Sequence, residues 1–123
     1  METYSRFIFQ KSHFNRNPPR IKPDAFVAAP NDRTSVYRTD SFEESEIWGI
    51  GRELETLRGR ELKGRGDLTK QDITDCNFGI EKENNAPVAP DYHYNIIGWA
   101  TTDKEAQLLK AIDLANKAIP VFL

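Results

Sequence analysis

Apolar and polar residues alternate, imperfectly, from Thr3 to Phe9, a stretch rich in β-forming aromatics that predicts a first strand. Thr34-Ser35-Val36-Tyr37-Arg38 predicts a second, short one, and Phe78-Gly79-Ile80-Glu81-Lys82 a further strand. The clearest strand pattern is Tyr92-His93-Tyr94-Asn95-Ile96-Ile97-Gly98-Trp99. Alternation places Tyr92, Tyr94, Ile96 and Gly98 on one face of it, and His93, Asn95, Ile97 and Trp99 on the other. The first face is core-like. The second mixes polar and large apolar groups, which suits a binding surface or a wall under a neighbouring loop.

Helical spacing takes over after Ser41. Ile47, Ile50, Gly51, Leu54 and Leu57 form a stripe flanked by Trp48, and Ser41-Phe42-Glu43-Glu44 reads as the capping box that starts the helix. Gly49 and Gly51 each cost roughly 1 kcal/mol relative to alanine inside a helix, so a close backbone or bulky ring, or an early kink, is expected there. Arg58-Gly59-Arg60 predicts a turn. Thr69 to Cys76 predicts one or two helical turns, with Thr69 as cap and Asp72 completing its box. Thr102-Asp103-Lys104-Glu105 predicts another capping box. The helix behind it should bury Leu108, Leu109, Ile112, Ala115 and Ala118 and stop at Pro120, with Val121-Phe122-Leu123 as an edge strand.

Two stretches resist assignment to an element. Gln10 to Pro30 holds Pro18-Pro19, Pro23 and Pro30, and proline removes the amide hydrogen a helix needs. It is expected to be a long loop or arm pinned by Ile21, Phe26 and Val27. Leu62 to Leu68 contains Gly64 and Gly66 and predicts a weak strand or an irregular loop. The mixture of strands and helices, without a βαβ rhythm, predicts an α+β domain spanning residues 1–123. A small mixed or antiparallel sheet would pack with two main helices, and a long proline-rich loop would lie near the N-terminus.

Composition changes this picture little. A chain of 123 residues with 38% apolar content can form a sufficient core without metals or disulfides. Its one cysteine, Cys76, rules out an intramolecular disulfide. The start lacks the basic, then apolar, pattern of a secretion signal, and no long apolar run follows, so the cytoplasm is the expected compartment. The net charge of −2 hides a basic excess over residues 1–40 and an acidic excess over 71–123. A net acidic chain is not the usual footprint of a nucleic-acid binder.

Candidate chemistry divides into two classes. His13 and His93 form a possible acid–base pair acting on a phosphodiester, with Lys22, Arg38 or Arg6 stabilising developing charge. The glycine-rich basic run Arg58-Gly59-Arg60-Glu61-Leu62-Lys63-Gly64-Arg65-Gly66 would then supply Arg58, Arg60, Lys63 and Arg65 to phosphate, although it lacks P-loop spacing. A histidine beside an aromatic strand and a later glutamate, Glu81 or Glu83, also suits a nicotinamide-nucleotide transferase, but no motif supports it. No metal-ligand spacing is present, and neither Ser12 nor Ser35 sits in a nucleophile motif. Cys76 is expected to be a packed residue.

Tyr37, Arg38, Trp48, Tyr94, Asn95 and Trp99 are the residue types enriched at interaction surfaces. The first expectation is therefore a cytoplasmic accessory or adaptor module of a bacterial or phage kind that binds another protein, with no cofactor and no metal. The alternative is a small metal-independent RNA-binding or RNA-cleaving protein built on His13 and His93.

Overall fold

The aromatic alternation at the N-terminus produces the strand around which everything else assembles. In the computed structural model, which describes residues 1–27, 33–99 and 103–123, β1 (Thr3–Ile8) lies inside a six-stranded antiparallel sheet. On one side β1 pairs with β5 (Gly64–Thr69), which carries the edge strand β8 (Ile119–Phe122). On the other it pairs with β4 (Thr34–Arg38), followed by β7 (His93–Ile97) and the second edge, β6 (Gly79–Lys82). The predicted α+β class and antiparallel sheet are what forms.

Period-2 alternation sends successive β1 side chains to opposite faces, and each face has its own core. Phe7 packs with Tyr37, Leu62 and Val88 under α1 (Glu44–Arg58), which contributes Ile47, Ile50 and Leu54. Tyr4 and Ile8 pack with Val36, Leu68 and Ile96 on the opposite face. There the cover comes from α2 (Lys70–Asp75), through Ile73, and α3 (Lys104–Lys117), through Ala111, Leu114 and Ala115. Burying each such large apolar side chain contributes roughly 1.5–3 kcal/mol.

The proline-rich stretch is not an arm over residues 10–27. It folds as a small hairpin, β2 (Phe14–Arg16) with β3 (Pro19–Ile21), followed by a tight 3-10 turn at Pro23–Ala25. Phe14, Ile21 and Phe26 enter the core under α3, and Phe26 is wholly buried. Pro23 sits at the start of its turn, where its missing amide hydrogen costs nothing. Pro30 lies outside the described residues.

Local signals shift by a residue or two against tertiary geometry. Glu43, not Ser41, caps α1, in a reciprocal box with Glu46. Thr69 and Asp72 cap α2 as their spacing predicts. Thr102 lies outside the described residues, and the Asp103 side chain accepts from the amides of Glu105 and Ala106 to cap α3. Leu108 and Leu109 stay exposed, because α3 is rotated to bury the smaller Ala111 and Ala115 with Leu114. Small residues let that helix pack against β3 and the Pro23–Ala25 turn.

Glycine placement explains how Gly64–Thr69, within the stretch expected to be a weak strand or loop, packs as a strand of the main sheet. A Cβ on Gly64 would stand 2.5 Å from the Phe14 ring and 2.7 Å from the Val121 carbonyl oxygen. Gly51 of α1 is similar, 2.9 Å from the Phe7 ring, whereas Gly49 faces open space. The close ring expected at the paired helix glycines is real at one of them.

Candidate functional site

β1 and β4 are paired over only part of their length. Cα partners run Tyr4–Arg38 and Ser5–Tyr37, and there the pairing ends, although β1 continues along β5 to Ile8 and β4 continues along β7 back to Thr34. The strands part like a V. Arg6 spans the gap: its Nε donates to the Ala25 carbonyl at 3.0 Å and its Nη1 to the Ser35 carbonyl at 2.9 Å. The guanidinium thus replaces ladder bonds that the diverging strands do not make.

A cavity of about 340 Å³ opens beside this wedge. Its lining joins Arg6 with His13 from the turn before the hairpin, Arg58 from the end of α1, Arg60 from the following turn, and Gln10. Phe7, Ile8, Phe9 and Ala25 supply the apolar wall, and the Arg58 guanidinium lies 4.9 Å from the centre of the Phe9 ring. No carboxylate appears among the described lining residues. Burial, with Arg58 nearby, lowers Arg6 to about 10, so it remains charged at neutral pH. Burial also lowers His13; Arg6 and Lys22 reinforce that effect and Asp24 opposes it, so the ring is neutral at pH 7.

The other sequence candidates fall into different surroundings. Lys22 stands across the hairpin from His13, its amide donating to the His13 carbonyl at 2.8 Å, without lining the cavity. Lys63 pairs with Glu61 at 3.3 Å and borders a separate cavity with Lys11 and Arg16. Arg65 is buried and already engaged: Nε meets Asp67 at 3.1 Å, Nη1 meets Glu44 at 2.7 Å, and the guanidinium stacks over Trp48 at 4.6 Å. Such a residue neutralises its own neighbours and leaves nothing for an outside anion. The basic run therefore splits, with Arg58 and Arg60 facing the cavity and Lys63 and Arg65 committed elsewhere.

The aromatic set is largely structural. Tyr37 is buried under α1, and Tyr94 packs edge-on to Tyr4 in the opposite core. Arg38 is held by Asp40 at 2.9 Å, with Glu2 at 3.6 Å. Trp48 is half-buried beneath Arg65. Trp99 does not share a face with His93 and Asn95. Gly98, at φ +100, breaks the alternation and turns Trp99 into the core against Phe78, with ring centres 4.6 Å apart.

His93 and Asn95 do share a face, on the α1 side of the sheet. His93 Nε2 is 2.6 Å from Ser35 Oγ, its Nδ1 is 3.3 Å from the Glu83 carbonyl oxygen, and Asn95 donates to the Glu83 carboxylate. No hydrogen bond or ring contact joins His13 to His93 among the described residues; Arg6 and Ser35 stand between their two clusters. The sequence motifs missed Ser35, because a serine in a plain strand carries no signature and its partner histidine is far along the chain. Among the described residues, no group of three His, Cys, Asp or Glu side chains is placed to hold a metal ion, and no helix is long and apolar enough to cross a membrane. Cys76 is buried, and burial raises its thiol pKa.

No family model, curated protein or solved structure matches this chain. Site geometry alone therefore guides the functional reading.

Proposed function

We propose that the protein binds a phosphate-bearing ligand, with RNA the leading class, in the cavity where β1 and β4 part. One observation carries this reading: Arg6, His13, Arg58 and Arg60 converge on one cavity without a carboxylate among its described lining. Like charges brought together in a partly dehydrated space repel, and an anion that accepts from several arginines relieves that repulsion. Phe9 adds a ring on which a base or a guanidinium can stack. The test is titration of a short single-stranded RNA and of inorganic phosphate at stepped salt. With two or three phosphates engaged, binding of the RNA weakens roughly tenfold between 50 and 200 mM salt. Binding indifferent to salt, or unchanged by Arg58→Ala with Arg60→Ala, rejects the reading.

A second reading, the protein-interaction module, is supported by a furrow of two adjoining shallow cavities, apolar in their middle and edged by Glu46, Glu53 and Asp91, rather than by the aromatic strand. The furrow runs between α1 and residues 87–92, where Leu57 and Tyr92 remain 56% and 38% exposed beside Phe42, Ile50 and Val88. It predicts a stoichiometric protein partner that survives nuclease and is lost with Leu57→Asp while the fold persists. Retention of that partner by the variant removes the furrow as its docking surface.

A further inference from the structure

Ser35 and His93 stand diagonally across the β4–β7 pair, Ser35 opposite Asn95 and His93 opposite Tyr37. Their hydrogen bond, Oγ to Nε2, is 2.6 Å long. The remaining ring nitrogen, Nδ1, lies 3.3 Å from the Glu83 carbonyl oxygen and 3.8 Å from Glu83 Oε2. A carbonyl oxygen only accepts, so Nδ1 carries the hydrogen of the neutral ring and Nε2 presents its lone pair. The Ser35 hydroxyl is therefore the donor. This is the tautomer in which an imidazole can take a proton from a nucleophile, with a carboxylate placed to stabilise the imidazolium that results. Asn95 holds that carboxylate in position through its side-chain amide. Burial depresses the His93 pKa against the opposing effect of Glu83, which leaves the ring neutral and its Nε2 lone pair free at pH 7. His93 is buried and Ser35 half-buried, so the serine is the member a reagent reaches. The Ser35 backbone carbonyl accepts from Arg6, a lining residue of the cationic cavity; this one bond links the relay to the cavity, which Ser35, His93 and Glu83 do not themselves line.

We infer that Ser35 is a nucleophile, activated by His93 and positioned through Glu83, that attacks phosphate esters. The substrate class rests on the phosphate-binding reading above, whereas the chemistry rests on the Ser35–His93–Glu83 geometry. In the first step a bond forms between Ser35 Oγ and phosphorus as the hydroxyl proton moves to Nε2. The ester P–O bond breaks, and the departing alkoxide takes that proton and leaves as an alcohol. Water then attacks the phosphoserine, giving its proton to Nε2. The serine oxygen departs, recovers the proton, and inorganic phosphate is released from a monoester.

The full-length chain is treated with a fluorophosphonate, a phosphorus electrophile whose fluoride leaves, and the adduct is located by mass spectrometry. The expected result is a single adduct on Ser35, absent in Ser35→Ala and formed at least tenfold more slowly in His93→Gln. Millimolar inorganic phosphate protects the wild type but not Arg58→Ala with Arg60→Ala. The groups set about the His93 ring are Glu83 and Tyr37, with Arg58 and Glu53 of α1 acting on the Tyr37 hydroxyl. Among the described residues Glu83 raises His93 in two ways, first through its backbone carbonyl and then through its carboxylate charge; Glu83→Gln removes the second alone and moves the pH midpoint of labelling modestly downward. No adduct on Ser35, or equal labelling of His93→Gln, overturns the relay and leaves phosphate binding standing. Labelling without phosphate protection keeps the nucleophile and overturns the phosphate-ester assignment. Should His93→Gln fail to fold, an unmoved midpoint in folded Glu83→Gln overturns the relay instead.

Discussion

The two ends of the β1–β4 pair use the same residue types to opposite effect. At the closed end, the Ser5 hydroxyl bonds Thr39 Oγ1 at 2.8 Å and Asp67 Oδ1 at 2.6 Å. Asp67 pairs with Arg65, which pairs with Glu44 and stacks on Trp48. Each charge there has its opposite, and the network ties β1, β4, β5 and the start of α1 together. At the open end, Arg6 bonds, among the described residues, only neutral backbone carbonyls, and Arg58 and Arg60 crowd the same cavity as His13. Arg65 is part of the fold's internal accounting of charge; Arg58 and Arg60 add like charge that the cavity itself does not balance. A charge satisfied from within stabilises the fold, whereas like charges gathered with no carboxylate among the described lining are the basis of the proposed anionic ligand.

The largest expected effect breaks the closed end. Arg65→Ala strands Asp67 and Glu44, and it should cost about 2–4 kcal/mol, below the full cost of breaking a buried pair because Glu44 still reaches water. Thermal or urea melts read this directly. Phosphate binding per remaining folded molecule should be unchanged. A loss of binding equal to the loss of stability in wild-type comparison would erase the distinction between the two ends.

Arg6→Ala comes next, since it tests both roles at the wedge. It leaves the Ala25 and Ser35 carbonyls without their charged donor, at a cost of about 1.5–3 kcal/mol. Because Arg6 also lines the cavity, phosphate affinity falls with stability. Arg58→Ala with Arg60→Ala should separate the two: relief of like-charge crowding leaves the melting temperature unchanged or higher, while phosphate affinity drops at least tenfold. A destabilised double variant with intact binding would reverse the assignment.

The smallest effect is a pH dependence through His13. Its folded-state pKa lies below the ordinary value of 6.5, so the unfolded chain binds the proton more readily and stability declines as pH falls through that value. Ligand binding has the opposite sign. A sulfate or phosphodiester probe, whose own charge is constant over this range, should bind a few-fold tighter as His13 gains its proton below that ordinary value. His13→Gln should flatten the profile. Binding of wild type that weakens on acidification contradicts a place for His13 in the cavity.

Much of the architecture was legible in sequence because it depends on neighbours within a few residues. Alternation marked β1, β4 and β7, helical period marked α1 and α3, and Thr69 with Asp72 announced α2. The proline-rich stretch reads as a loop or arm because prolines exclude a helix without excluding a short hairpin; its pins Ile21 and Phe26 are legible as apolar residues, whereas Phe14 becomes an anchor only in the folded hairpin. The glycines of Gly64–Thr69 looked like weakness because the Phe14 ring and Val121 carbonyl that require Gly64 come from distant segments. Within the candidate site, Arg58, Arg60 and His13 were visible as residue types, but Arg65, from the same basic run, could not be told apart from them. Pattern and composition determine which segments become strands and helices, since those preferences are local. Pairing, register and the divergence of β1 from β4 are long-range choices settled by packing both faces of the sheet at once. Only that packing decided that Ser35 meets His93, that Arg65 is neutralised, and that Arg6, Arg58 and Arg60 share one cavity.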